Sequence, residues 1–470
     1  MLKDRMLYMS ILQKQTTAER RELILHSAPV KTLIILSLPT LMTSMVQALV
    51  PLTDNLFINN LTDVITASAV SFSQPIILMV TALSMGLGVA ATAIIGQLNG
   101  RGEIETARKI STQIFIFSCA LGLAAAPVLL VLSKIVEKSL VSDIAHSVFL
   151  YLSLYSIVLP FAFLEAIYNG IKNANGKPEA PFIRMVILLI LKIIGNFIFL
   201  YELRLDIVGC VLASLLANGI ITLWMFFELF FANGPDTLTL KGFHFEWHVI
   251  KQLIKVGFPA MLNFAFLYFG FFLINKEVER YGPVVLNGQN IASAITTICF
   301  NLPAAFSAAV TTMVSMYIGA ENKKKAQRSC LLGCIASAIT AVALIAIIVP
   351  LSPHLTILFR REPDILEVAN NALHIYTYSI VGFGVCMTIQ GAFIGLGKTK
   401  IPLVLGILRI WLLRYVFILF TVKTLSYYAV FWGNLFSNYC AALIAIILIL
   451  NTKWKSDINL NPGESLTTSQ

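Results

Sequence analysis

The chain has 470 residues, 57% of them hydrophobic and only 12% charged, with a formal net charge of +10 at pH 7. That is far more apolar surface than a soluble core requires, which argues against a water-soluble enzyme and makes lipid the solvent for most of the chain. The excess Lys and Arg collects in short turns such as RGEIETARK (101–109) and ENKKKAQR (321–328), where it faces anionic headgroups, so the charge needs no nucleic-acid partner.

Apolar stretches, uncharged but for Lys192, Arg409 and Arg414, recur at 33–53, 67–100, 110–133, 147–164, 185–201, 207–227, 256–275, 284–320, 329–352, 372–397, 401–422 and 425–452. Each is long enough to cross about 30 Å of hydrocarbon as a helix, which takes roughly 20 residues. The expected fold is therefore an all-α integral membrane protein with twelve transmembrane helices. The first stretch is too long and too late for a signal peptide and is followed by no A-x-A-like site, so it is expected to remain as a span. Residues 1–28 form a leading segment, 29–231 a first six-helix bundle, 232–256 a linker, 257–452 a second bundle and 453–470 a tail. The seven cysteines all lie inside apolar stretches without a CxxC pair, and read as small buried hydrophobes.

In chain order, span 1 carries Asp54 within QALVPLTDNLF, with Asn55 beside it and Gln47 two helical turns earlier on the same face. An ionisable side chain at membrane depth is costly, which makes Asp54 a functional candidate; the alternative is an aspartate at the outer boundary, where the helix meets water. Glu165 lies about two turns before the end of span 4, in LPFAFLEAIYNG, and reads equally as a proton relay, a gate residue or an interfacial hydrogen-bonding group. In span 5, Lys192 and Asn196 are four apart and share one helical face. At about 1.5 Å per residue from Pro181, Lys192 falls near mid-membrane and Asn196 near the level expected for Asp54. Lys192 is read as the partner of Asp54, against the alternative of a lysine that snorkels to an interface.

The linker contains HFEWH, with His244 and His248 four apart, but its Glu is misplaced for a zinc-protease motif and a polar interfacial face is the better reading. Residues 244–256 are amphipathic and are expected to form an interfacial helix. Span 11 carries Arg409 and Arg414, expected to bond backbone carbonyls or nearby acids. The run GAFIGLGKTK (391–400) ends in Gly-Lys-Thr like a nucleotide-binding loop, but Gly391 stands one place too early for the required spacing.

Aligning the chain on itself removes that ambiguity. SLPTLMTSM (37–45) sets Pro39 against Pro259 of GFPAMLNFA (257–265), and GQLNGRGEIETARK (96–109) pairs Gly100 with Gly319 of SMYIGAENKKKAQR (315–328). AIYNGIKNANGKPEAP (166–181) pairs Gly170, Gly176, Lys177 and Pro181 with Gly391, Gly397, Lys398 and Pro402. The apparent nucleotide loop thus has a twin, and both copies read as tight turns between spans. Six spans per copy is an even number, so the two bundles are related by a parallel internal repeat, a plan used by secondary transporters with the substrate site between the halves. The Lys/Arg bias places both termini in the cytoplasm.

The prolines early in spans 1 and 7, the VQALVPLTDNLFI run, the Gly-Gln…Gly turn after span 2, the paired Gly-Lys turns and ILRIWLLRY in span 11 together resemble the multidrug and toxic compound extrusion family over about residues 30 to 450. The resemblance implies a V-shaped pair of six-helix bundles in a bacterial inner membrane, acting as a monomer without an organic cofactor. It implies export of organic cations or other amphiphiles in exchange for H⁺ or Na⁺. It makes Asp54 the cation-coupling carboxylate, with Asn196 at a position where the family carries Asn or Asp; Lys192 departs from the Asn more usual there. Together with Gln47 and Glu165 these are the candidate coupling residues. The departure favours H⁺ over Na⁺, since a lysine supplies the positive charge Na⁺ would bring. Leu267, Tyr268 and Asn371 stand where one Na⁺-coupled branch carries acids, which places coupling in the N-terminal half. Asn55, Asn169, Phe264, Tyr268 and Gln390 are candidate contacts in a cavity lined by parts of spans 1, 2, 4, 5, 7, 8, 10 and 11. A flippase for lipid-linked glycans shares this architecture and is the alternative; no constellation for a membrane enzyme is found.

Overall fold

The computed structural model describes residues 15–140, 144–232, 237–240, 243–359 and 361–459. Every regular element among them is helical, as lipid demands of a chain that must satisfy its own backbone groups. Ten helices are long and apolar enough to cross a membrane, and two bent pairs bring the number to twelve. Spans 1 to 3 are Pro29–Leu61, Val64–Arg101 and Ile104–Ser139. Span 4 is the pair Ala145–Tyr155 and Leu159–Ala174, bent by 49°. Span 5 runs Glu179–Asn196 and continues as a π-helical stretch, Phe197–Glu202; span 6 is Asp206–Phe230. In the second half, spans 7 to 9 are Trp247–Glu279, Pro283–Gly319 and Lys323–Thr356. Span 10 is Pro363–Tyr378 and Ile380–Gly395, bent by 42°. Span 11 runs Lys400–Ile407, passes through a longer π-helical stretch, Leu408–Tyr415, and ends as Val416–Leu425; span 12 is Tyr428–Leu450.

The repeat is visible in detail. Both halves bend at span 4 or its twin, and both carry π-helix in span 5 or its twin. Where span 2 meets span 4, Thr92 Oγ1 donates to Gly170 O at 3.3 Å; where span 8 meets span 10, Thr311 Oγ1 donates to Gly391 O at 2.9 Å. Small residues are needed there because apolar side chains gain little by leaving lipid for one another, and close backbone approach supplies the packing instead. The two Gly-Lys turns close alike. Gly176 and Gly397 take φ of 72° and 79°, and Lys177 N and Lys398 N each donate 2.9 Å back to Lys172 O and Phe393 O. These are helix C-caps that need a left-handed residue, so the Gly-Lys-Thr run is a turn.

The linker differs from the expectation. Residues 244–256 do not form a helix of their own: a single helix begins at Trp247 and runs through Pro259 to Glu279. Nothing between Trp247 and Gly257 breaks helical geometry, so the amphipathic segment becomes the first turns of span 7.

The halves are drawn tightly together at the end that carries both described chain ends. A Cβ on Gly100 would lie 2.1 Å from Met316 O, and one on Gly319 2.1 Å from Gln97 O. Gln97 Nε2 donates 2.8 Å across the seam to Gly395 O. The N-terminal helix Thr17–His26, held by a Thr16/Glu19 capping box, straps both sides: Arg20 pairs with Glu179 at 2.6 Å in the first half, and Tyr317 Oη of the second half donates 2.8 Å to Ile24 O. Residues 451–459 do the same, with Ser456 donating to Gln97 Oε1 and Asp457 N donating 3.0 Å to Leu396 O.

Candidate ion-coupling site

Asp54 sits on span 1 three residues beyond Pro51, facing span 5. One carboxylate oxygen, Oδ2, is ion-paired with the Lys192 ammonium; the other, Oδ1, accepts from Asn196 Nδ2 at 2.9 Å. The Lys192 side chain is only 10% exposed, so it does not snorkel to a boundary. The i, i+4 spacing on span 5 is what allows two donors to reach one carboxylate, and the π-helical stretch begins directly after Asn196. Tyr155, at the bend of span 4, lies within electrostatic reach of both Asp54 and Glu165. A carboxylate that holds a permanent cation on one oxygen and an amide on the other can exchange that cation for a proton, or for the cation of a passing molecule.

Glu165 faces span 5 as well, where its Oε2 pairs with Arg184 Nη1 at 2.8 Å. Arg184 is 1% exposed, a deeper position than its place at the start of span 5 suggested. One turn along span 4, Tyr168 Oη donates to Glu228 Oε2 at 2.6 Å, and Lys172 also pairs with Glu228. Arg184, Tyr155 and Glu228 were not singled out from the sequence. Arg184 adjoins the start of an apolar stretch, where nothing in the sequence marks it as buried, and the Tyr155 and Glu228 contacts depend on how spans 4, 5 and 6 pack.

The remaining candidates divide. Gln47 is exposed and makes no hydrogen bond to Asp54, so it is not part of this cluster: sharing a helical face is not the same as sharing a level, and two turns separate the residues. The side chain of Asn55 lies outside the described residues. Asn169 is half-buried, with Oδ1 shielded and unpartnered. Phe264 and Tyr268 are half-buried on span 7, with the Tyr268 hydroxyl directed to Met85 Sδ of span 2 at 3.9 Å. Gln390 is packed inside the second half, where it donates to Cys386 Sγ one turn back. Asn371 donates 3.0 Å to Tyr428 Oη. Among the described residues, no group of three His, Cys, Asp or Glu side chains is placed to hold a metal ion.

Among the described residues, Arg409 and Arg414 do not meet the acids or backbone carbonyls expected for them. Arg409 Nη1 donates to Asn438 Oδ1 at 3.3 Å and its guanidinium lies 4.9 Å from the centre of the Phe383 ring; Arg414 lies beside the Tyr376 hydroxyl. The neighbours that packing supplies here are an amide, a phenol and an aromatic ring instead.

Comparison with known proteins agrees with this architecture. The MatE family model matches twice, over residues 39–198 and 259–420, one match per half. The chain is 24% identical over 82% of its length to the probable multidrug resistance protein YpnP of Bacillus subtilis strain 168, covering 87% of that protein. It is 22% identical over 91% of its length to the multidrug export protein MepA of Staphylococcus haemolyticus strain JCSC1435, covering 95% of it. Its fold superposes with a TM-score of 0.85 on the outward-facing conformation of a multidrug resistance MATE family transporter of the MOP superfamily, over 90% of this chain and 96% of that one at 22% identity. With the twofold match covering most of the chain and the fold shared over 90% of it, the protein belongs to the multidrug and toxic compound extrusion family of multi-pass membrane transporters and is not an enzyme.

Proposed function

We propose that the protein is an H⁺-coupled antiporter that exports amphiphilic or cationic small molecules across a bacterial cytoplasmic membrane, with both termini inside. The observation that carries this reading is the Lys192–Asp54 pair beside Asn196. A fixed ammonium already occupies the carboxylate that Na⁺ would need, and protonation of Asp54 releases Lys192 to repel a cationic cargo from the same place. Re-formation of the pair and capture of a cationic cargo compete for one carboxylate, and that exclusion gives proton and cargo the differential affinities an antiporter needs. The names of the relatives, a multidrug export protein and a probable multidrug resistance protein, support the cargo class. The seam closed at the end bearing both described chain ends fits a cavity facing outward, and the Lys/Arg bias of the turns supports the orientation.

Efflux from proteoliposomes with pH and Na⁺ gradients imposed separately tests the coupling: transport should follow the pH gradient and ignore Na⁺. Transport driven only by Na⁺ and indifferent to pH contradicts the proposal. For orientation, Lys324→Cys should resist a membrane-impermeant thiol reagent applied to intact cells, and ready labelling would reverse it.

A further inference from the structure

The second half keeps part of the pattern of the Asp54 site but not its acid. At the offset that sets Pro39 against Pro259, Asp54 falls opposite Ile274. At the offset that pairs Gly170 with Gly391, Tyr155 falls opposite Tyr376. At the offset that pairs Pro181 with Pro402, Lys192 falls opposite Leu413, and Arg414 is its neighbour within the π-helical stretch Leu408–Tyr415. The tyrosine is therefore retained in the second half, and a cation stands on the twin of span 5 one position beyond that of Lys192. The carboxylate is replaced by a buried isoleucine in the apolar cluster that also holds Tyr376 and Ile410.

What remains is two arginines, each 6% exposed, with no carboxylate bonded to either among the described residues. Their polar surroundings are Asn438, Asn434 and Ser379, tied together by amide donors to Ser379 Oγ at 3.1 and 3.3 Å, and Tyr376. The Nε of Arg409 and the Nε of Arg414 are shielded and have no hydrogen-bond partner among the described residues. Buried charges in proteins are paired, and breaking such a pair by removing one partner is strongly destabilising. A guanidinium is a rigid fork matched to carboxylates and similar anions, and π-helical insertions gather at functional sites. In the first half Asp54 is supplied by the chain; here the matching negative charge has to come from outside it.

We propose that Arg409 and Arg414, with Asn438 and Tyr376, form a receptor for a singly charged anionic group in the second half, filled by a free inorganic anion or by the carboxylate of a cargo molecule. The carboxylate arm deepens the transport reading and rests on it: a cationic group competing at Asp54 and an anionic group held at Arg414 together select zwitterionic amphiphiles. The free-anion arm is independent of transport, since a resident anion would neutralise the second half whatever is carried.

The test is thermal unfolding of the purified full chain in detergent, at constant ionic strength, with sodium bromide or sodium benzoate replacing sodium methanesulfonate. The expected result is a saturable rise in Tm of about 3 °C with at least one of the two, bromide alone assigning a free inorganic anion and benzoate a carboxylate. Arg409→Gln and Arg414→Gln should each lose the rise. Arg414→Lys, which keeps the charge but not the fork, should weaken the apparent affinity about tenfold. Absence of a saturable rise with either anion in the unmodified protein overturns the proposal, and that measurement needs no variant to fold. A rise that persists unchanged in both Gln variants overturns it too, because a general salt effect would do the same. Neither outcome touches proton-driven efflux, which is read separately in proteoliposomes.

Discussion

Lys192 and Asn196, one turn apart on span 5, divide the two oxygens of Asp54 between them. The carboxylate is therefore occupied by the protein's own side chains, and on the proposed function a proton or a cationic cargo would have to displace Lys192 from it.

Asp54→Asn removes the charge that proton, lysine and cargo share. Gradient-driven efflux in proteoliposomes should fall at least about tenfold, the effect of losing a single interaction of about 1.4 kcal/mol or more in the driven step. Lys192→Asn should retain transport and bring in Na⁺ dependence, because the vacated carboxylate can then take an external cation. An Asp54→Asn protein that still pumps down a pH gradient would remove Asp54 from the mechanism.

The Glu165–Arg184 pair joins spans 4 and 5, with Arg184 almost completely buried. Glu165→Gln leaves a buried guanidinium without its counter-charge and should lower stability by about 3 kcal/mol. Replacing both members, Glu165→Leu with Arg184→Met, should recover most of that loss. Thermal unfolding of the single and double variants closes the cycle; additive losses would show that the two side chains do not support one another.

At the seam, a methyl group on either Gly100 or Gly319 would be driven into a backbone carbonyl of the other half. Gly100→Ala and Gly319→Ala should therefore disfavour closure at this end. Crosslinking of cysteines introduced at Gln97 and Ser456, whose side chains meet across the seam, should fall several-fold in each variant, and efflux with it.

The turn after span 8 repeats the turn after span 2, but Glu321 holds the left-handed position that Gly102 holds in the first copy, with φ of 58° against 85°. A side chain in that conformation is strained by roughly 1 kcal/mol. Glu321→Gly should raise thermal stability by about that amount, and a loss would mean that the exposed carboxylate contributes more than the strain costs.

The number of spans, the repeat and the turn character of the Gly-Lys segments are properties of the one-dimensional chain. They depend on apolar length, on glycine where φ is positive, and on residues that recur at a constant offset. The meeting of Lys192 and Asn196 with one carboxylate was also accessible, since helical rise and i, i+4 spacing set both level and face once spans 1 and 5 are neighbours. Packing decided the rest. Gln47 shares a face with Asp54 but not its level; Arg184 lies at the start of span 5, yet Glu165 draws it out of solvent. The extension of span 7 back to Trp247 needed the continuous helix to be seen. The fate of Arg409 and Arg414 could not be read from their own span at all, because whether a buried cation is paired depends on what the facing helices place at its depth. In the first half they place Asp54; in the second they place Ile274.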